Sequence, residues 1–409
     1  MVNTGTTIRD SGTAGRTATA DCVMVINCGS SSLKFAVFPA DGGGVLLKGL
    51  AERLGGPDAV MRIERGGASE SMAMPRASHR DALQAAAARM DGHRPLAIGH
   101  RIVHGGEEFS DSVLISDEVM AAVERCTSLA PLHNPANLAG VRTSRELFPD
   151  LPQVAVFDTA FHQTLPPEAY LYAIPRSYYE ELGVRRYGFH GTSHHYVALE
   201  TARLLGKNPL ETSLITMHLG NGCSACAIRN GRSADSTMGL TPGEGLVMGT
   251  RSGDVDPALH QFLQDRTGMS LGEITTMLNS GSGLLGLSGL SNDMRTLAKA
   301  ANDDHPRARL AIDVFCYRLA KAVCGLMAAL DSIDALVFTG GIGENSNMVR
   351  SLATAHMKLS GVVLDESLNA SHGRASRGVI SAPHSRIPCL VVPTNEELMI
   401  ARETLRLIS

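Results

Sequence analysis

Short apolar runs punctuated by glycine turns recur along the chain, and they set its predicted elements. Residues 23–26 read as an apolar strand, Asn27-Cys28-Gly29-Ser30-Ser31-Ser32 as a turn, and 33–38 as a second strand. A helix is predicted over 81–90, with Ser78 or Asp81 available to cap it. Residues 96–104 form a strand that runs into Gly105-Gly106, and 117–129 a helix with acidic residues in its first turn, ended by Pro131. A further strand, 154–157, stops at Asp158. Strands alternating with helices predict an α/β fold with a mostly parallel core.

The second half repeats the opening. Residues 214–219 read as a strand, Gly220-Asn221-Gly222 as a turn, and 224–229 as a strand closed by the hairpin signal Asn230-Gly231. Strand, glycine turn, strand thus occurs twice, about 190 residues apart, which suggests two related α/β lobes. A long helix over 308–330 carries a stripe at Phe315, Leu319, Ala322, Val323, Leu326 and Leu330. Strand 335–339 runs into Gly340-Gly341-Ile342-Gly343. The last helix opens at Thr394-Asn395-Glu396-Glu397, where Thr394 and Glu397 fit a capping box and leave Glu396 to face a cleft or the helix dipole. No linker or charge block parts the halves, so the lobes are expected to pack across a cleft.

Composition narrows the function classes. Of 409 residues, 44% are hydrophobic and 19% charged, enough for a sizeable core and against wholesale disorder. Aromatics are 4% with no tryptophan, and the net charge is -4, so no stacking platform or basic field exists for nucleic acid or an anionic membrane. Any phosphate must be held by a local site. The most apolar stretch, residues 310–330, is broken by Asp313, Arg318 and Lys321 and is no membrane span. Residues 1–21 lack the apolar segment of a secretory signal and read as a disordered tail. Eight scattered cysteines suggest free thiols in a reducing cytoplasm. The pair Cys223 and Cys226 falls in a strand, where odd spacing points the thiols to opposite faces, so a zinc site is not expected.

Three glycine turns at strand ends offer backbone N–H groups without a Cβ in the way, as a phosphate chain requires. The first also carries Ser30, Ser31, Ser32 and Lys34. A GxGxxG run at 281–286 follows a helical segment rather than a strand and fails as a dinucleotide fingerprint. Arg101 lies in an apolar strand; a strand arginine is usually solvated on an edge or paired with an acid, but an unpaired buried guanidinium would be costly, and a carboxylate or phosphate ligand would suit its fork. Arg251 fits a ligand or a salt bridge to Asp254 or Asp256 equally well. Asp158 ends a strand, where α/β proteins place ligands, though a loop-capping aspartate would look the same. His190 stands between Phe189 and Gly191, which suits close approach to a ligand, while adjacent His194 and His195 lack the spacing of a shared metal site.

Together these residues resemble the acetate kinase family. The strings VINCGSSSLKF, GHRIVHGG, PLHNP, VFDTAFHQTLP, YGFHGTSH, HLGNG, GLTPGEGLVMGTRSGDVDP, FTGGIGEN and PTNEELMIARE recur in the family's order from about residue 22 to 409. The resemblance implies the actin-like ATPase superfold: two ribonuclease-H-like lobes around a central cleft, in a homodimer. The first lobe would be 22–158 closed by the C-terminal helix, 395–409, and the second, nucleotide-binding lobe 159–394. It also implies ATP-dependent phosphorylation of acetate to acetyl phosphate, reversibly, with Mg²⁺ or Mn²⁺ as cofactor. Propionate is the nearest rival substrate and a sugar or polyol a more distant one.

By the same resemblance Asn27 and Glu396 would hold the metal, and Lys34 would meet the phosphates. His218, Leu219, Gly220, Asn221, Gly222, Gly341, Ile342, Gly343, Glu344 and Asn345 would line the ATP site, with Asp293, Met294 and Arg295 on the adenosine. Arg101 would bind the acyl carboxylate, Val103, Leu132, Phe189 and Pro242 would line the methyl pocket, and Asp158, His190 and Arg251 would be catalytic. Acetate needs no general base, so Asp158 is expected to orient Arg251, a metal-bound water or the nucleophile. Two departures stand out. Gly243 replaces a bulky apolar residue and is expected to loosen the acyl-pocket loop, and Cys28 in the first turn is expected to confer thiol sensitivity.

Overall fold

The computed structural model describes residues 20–131 and 133–409. The predicted tail therefore falls almost wholly outside the described residues. Asp21 already belongs to the first strand, where its carboxylate takes a two-pronged pair from Arg94 at 2.8 and 2.9 Å.

Among the described residues one sheet has eight strands: β1 (Asp21–Cys28), β2 (Ser32–Pro39), β3 (Leu47–Glu52), β4 (Val60–Arg65), β5 (Ala68–Ala73), β6 (Arg94–Ile102), β7 (Val113–Leu114) and β8 (Gln153–Phe157). Their spatial order is β5-β4-β3-β2-β1-β6-β8-β7. A second sheet holds β9 (Leu214–Leu219), β10 (Cys223–Arg229), β11 (Arg232–Ser236), β12 (Ala335–Thr339) and β13 (Cys389–Val391), ordered β11-β10-β9-β12-β13. The repeat read from the sequence extends further than two strands. In each sheet a three-strand antiparallel meander, β1-β2-β3 or β9-β10-β11, is followed by two parallel additions, β6 and β8 or β12 and β13. Parallel strands end on one side of a sheet, so Asn27, Ile102, Phe157, Leu219 and Thr339 bring their following turns toward one region.

Apolar alternation explains why these strands are doubly covered. On β9, Ile215, Met217 and Leu219 enter a core shared with the long helix, while Leu214 faces the opposite core. The Cys223 and Cys226 thiols likewise lie in different cores, on opposite faces of β10. Six helices matter for the site: α1 (Asn134–Leu147), α2 (Gly191–Leu205), α3 (Met294–Asn302), α4 (Pro306–Leu326), α5 (Gly340–Asn345) and α6 (Glu396–Ile408). Helix α4 starts with Pro at its first position, under a cap in which His305 accepts from the Ala308 amide. Its stripe buries Phe315, Leu319, Val323 and Leu326, each contributing roughly 1.5–3 kcal/mol. The helix ends at Leu326, four residues short of the expected end at Leu330, because Met327–Ala329 tighten into a 3₁₀ turn.

Helix α6 returns to the first sheet, where Ile400 and Ala401 pack with Val23, Val25, Val154 and Val156. A Cβ on Gly99 of β6 would stand 2.3 Å from Thr404 Oγ1, so only glycine lets helix and strand approach this closely. The expected capping box does not form. Asn395 is the N-cap, accepting from the Leu398 amide at 3.0 Å, because Thr394 Oγ1 is held by Ser193 Oγ and Glu397 by Lys34. No described helix is long and apolar enough to cross a membrane.

Candidate active site

Arg101 stands at the end of β6 and Asp158 directly after β8, its parallel neighbour. The two side chains meet face to face: Arg101 Nε donates to Asp158 Oδ1 at 3.1 Å and Nη2 to Oδ2 at 2.5 Å. Of the partners open to Arg101, an acidic residue or a ligand, the chain supplies the first. The Asp158 carboxylate thus pairs with Arg101, and no hydrogen bond joins it to Arg251 among the described residues. Asp158 is 1% exposed, and its carboxylate also accepts from Thr192 Oγ1 at 3.4 Å, while its backbone carbonyl accepts from the Gly191 amide at 2.9 Å. A Cβ on Gly191 would lie 2.2 Å from that carbonyl, so glycine is required where α2 begins against the Asp158 turn. The pair uses two of the five guanidinium N–H groups, and the Nη1 edge of the fork keeps its donors for another carboxylate.

Burial works against the Arg101 charge, but Asp158, Glu396 and Glu397 more than offset it and hold its pKa above the ordinary value. Glu396 opens α6 beside this pair. Its carboxyl pKa is raised, first by burial and then by the Asp158 and Glu397 charges, against the pull of Arg101 and Lys34. Among the described residues it has no protein donor, which is the condition of a carboxylate that a cation would stabilise. Asn27 lies opposite Lys34 in the β1–β2 ladder, and Lys34 ion-pairs with Glu397, so both proposed metal ligands share this corner. Lys34 is thus turned to a carboxylate rather than to an open phosphate site.

On the facing side, His190 takes the left-handed conformation at φ +57 immediately before α2. Its ring stacks on His218 at 4.3 Å between centroids. Burial, then His218, His194, Arg101 and Arg251, push the His190 pKa well below its ordinary value, and burial and Arg101 bring His218 down to about 4. Both rings are therefore neutral near neutral pH. Arg251 makes no ion pair with Asp254 or Asp256 among the described residues; its Nη1 donates to the Pro242 carbonyl at 3.2 Å. A Cβ on Gly222 would come within 3.3 Å of Arg251 Nη1 and 3.5 Å of His190 Nε2, so a bare backbone turn separates this cation and imidazole from the rest of the cleft.

Beyond that turn opens a cleft of about 1190 Å³. Gly220, Asn221, Asp293, Met294, Arg295, Gly341, Ile342 and Asn345 line it. Leu219 is buried in the core, Gly343 gives its carbonyl to Arg350, and Glu344 Oε1 accepts from the Gly340 and Thr394 amides, so these three support the cleft rather than face it. Gly340 itself has φ +76, with Leu219 backbone where a Cβ would fall, which brings α5 tight against β9. Val103 and Phe189 share one core cluster with Met248. Leu132 lies outside the described residues.

Both departures from the family pattern have definite surroundings. Cys28 is packed against Gly140, and burial raises its thiol to about 12, so it offers almost no thiolate to a reagent. The Gly243 amide donates to Thr241 Oγ1 at 3.3 Å, and a Cβ there would meet Asn279 Oδ1 at 3.1 Å. Several supporting residues escaped the sequence reading. Asn137 of α1 accepts from the Val103 amide and donates to the Cys28 carbonyl, joining the residue after β6 to the first turn. His133, at the start of the same helix, has its pKa lowered first by burial and then by the Arg101 and Arg251 charges. Ser193, His194, Thr216 and Ser224 form buried contacts around the two histidines. The alternation of Thr216 and His218 on one face of an otherwise apolar strand was the available signal.

A family model described as the acetokinase family matches residues 22–402. The chain is 54% identical over 395 residues to an acetate kinase of Stutzerimonas stutzeri, covering 94% of this chain and 98% of that protein. It is 55% identical over 386 residues to one of Deinococcus radiodurans, covering 93% and 96%. Among solved structures, a propionate kinase from Francisella tularensis superposes with a TM-score of 0.90 at 42% identity, over 95% of this chain and 100% of that one. Porphyromonas gingivalis acetate kinase gives 0.89 at 43% identity, with the same coverage.

Proposed function

The chain belongs to the acetokinase family, and from that premise we propose that it transfers the γ-phosphoryl group of ATP to acetate, reversibly, giving acetyl phosphate and ADP. The observation that carries this reading is the guanidinium of Arg101, locked by Asp158 with one edge of its fork uncommitted, two residues before the apolar Val103 that follows the end of β6. Such a seat suits a carboxylate with a short apolar tail. A sugar hydroxyl would need a base, and Asp158 is already committed to Arg101.

ATP would lie in the cleft with adenosine against Asp293–Arg295 and its phosphates over the Gly220-Asn221-Gly222 turn. Arg251 and the Nε2 side of His190 then face the transferring group, and Arg101 holds the acceptor oxygen in line. Mg²⁺, held by Asn27 and Glu396, would supply charge neutralisation at the phosphate oxygens. Lys34 would leave Glu397 for the phosphates when nucleotide arrives. The lobes would be 22–158 with 395–409, and 159–394, closing on both substrates. A homodimer in the cytoplasm completes the reading, consistent with eight free cysteines.

Purified protein with Mg-ATP is expected to give hydroxylamine-trapped acyl phosphate with acetate in preference to propionate and butyrate. ADP release with glycerol or glucose, or independent of any acceptor, would sink the assignment. Val103 is the proposed limit on chain length. Val103→Ala should raise kcat/KM for propionate relative to acetate by about tenfold, the usual worth of one methylene in an apolar pocket. An unchanged ratio would remove Val103 from the acyl pocket.

A further inference from the structure

A line of hydrogen bonds runs under α2 from the second sheet to the cleft. Thr216 Oγ1 lies 2.7 Å from His194 Nδ1, His194 Nε2 2.8 Å from Ser224 Oγ, and Ser224 Oγ 2.8 Å from His190 Nδ1. Thr216, His194 and Ser224 are fully buried, with no exposed surface. We propose that Thr216, His194 and Ser224 are positioning residues that hold the proton of His190 on Nε2, the nitrogen turned toward Arg251 and the transferring phosphoryl group. The proposal deepens the reaction assigned above and rests on it for its catalytic meaning.

The direction of the line follows from counting protons. A hydroxyl has one proton, and a neutral imidazole has one N–H and one bare nitrogen. Ser224 touches these two ring nitrogens and no other partner among the described residues; accepting from both would leave its own proton buried without an acceptor, so it donates to one and accepts from the other. Two settings are then possible. In the first, Thr216 donates to His194 Nδ1, His194 Nε2–H donates to Ser224, and Ser224 donates to His190 Nδ1, leaving the His190 proton on Nε2. In the second every bond reverses, His190 carries its proton on Nδ1, and Thr216 becomes an acceptor.

Thr216 decides between them. Among the described residues its hydroxyl has no hydrogen-bond partner other than His194 Nδ1. In the second setting its proton would be buried without an acceptor, whereas in the first every proton in the line is used. The first setting also presents an N–H to the cleft, where a phosphoryl oxygen needs a donor, and the second presents a lone pair. Stacking on His218 and the left-handed backbone of His190 keep the ring from turning to exchange its nitrogens.

The test is long-range ¹H–¹⁵N correlation on protein labelled at its 15 histidines, with His190 assigned by the signal lost in His190→Asn. In the wild type, His190 is expected with a pyrrole-type Nε2 and a pyridine-type Nδ1. Thr216→Val removes the deciding donor at constant shape, so both tautomers should appear and kcat should fall about two- to tenfold, with both KM values within about twofold. Thr216→Ser keeps the donor and should restore the single tautomer and kcat. A wild-type His190 protonated on Nδ1 overturns the proposal, as does a Thr216→Val protein with unaltered tautomer and kcat. The wild-type spectrum decides alone if the valine variant does not fold. A correct tautomer in a protein that makes no acyl phosphate leaves the line standing and removes the reaction.

Discussion

Arg251→Ala is expected to lower kcat about 10³-fold while leaving the fold and the binding of ATP nearly intact. The side chain is half-buried, burial already weakens its hold on the proton, and its one hydrogen bond to a main-chain oxygen goes to the Pro242 carbonyl. No carboxylate neutralises it among the described residues, so its charge is available to whatever lies against the Gly222 turn. A phosphoryl group in flight spreads negative charge over its equatorial oxygens, and a fixed cation there typically contributes 10³-fold or more. Arg251→Lys should recover only part of the loss, because a point charge cannot keep both the carbonyl contact and a forked contact to the phosphoryl group. Steady-state kinetics with acyl phosphate trapping would measure both variants. A fall of less than about tenfold in the alanine variant, or a fall confined to the acetate KM, would place Arg251 outside the transition-state contacts.

The contrast between Arg251 and Arg101 also shows what the sequence could and could not carry. The strands, the glycine turns and the two-lobe repeat were legible because each is written within a few residues: an apolar run, then a turn without side chains. The buried setting of Arg101 was legible for the same reason. Its partner was not, since Asp158 is 57 positions away and meets it only because β6 and β8 pair in parallel. The last helix failed in the opposite direction. Thr394 and Glu397 have the right spacing for a capping box, but tertiary partners claim both, Ser193 for one and Lys34 for the other, and Asn395 takes the cap. Strand β5 carries no apolar signal, because Ala68–Ala73 is the edge of the sheet and buries no side chain fully, whereas β4 shows a short alternation at Met61 and Ile63 that only its pairing between β3 and β5 makes a strand. Cys28 shows how a local reading of reactivity fails without packing, since the missing Cβ of Gly140 is what seals its sulfur.

Asp158→Ala should cost acetate turnover about as much as the loss of Arg251, but by a different route, and it should also destabilise the protein. Removing one partner of a buried ion pair leaves the other charge uncompensated, a cost of about 3–5 kcal/mol. Arg101 is 22% exposed at the side chain and keeps Glu396 nearby, so the lower end applies. Freed from Asp158, the guanidinium can swing toward Glu396 and surrender the geometry that holds the acceptor carboxylate in line. The expected result is a lowered melting temperature, a raised acetate KM and a kcat/KM for acetate reduced about 10²–10³-fold. Asp158→Asn separates this from acid–base chemistry. It keeps one acceptor oxygen for Arg101, so it should unfold less readily, and its pH–rate profile should keep every ionisation of the wild type at a lower plateau. Acetate is already an anion in that range and gives up no proton as it attacks. An ionisation present in the wild type and missing from Asp158→Asn would instead make Asp158 a base, and would reopen the case for a hydroxyl-bearing substrate.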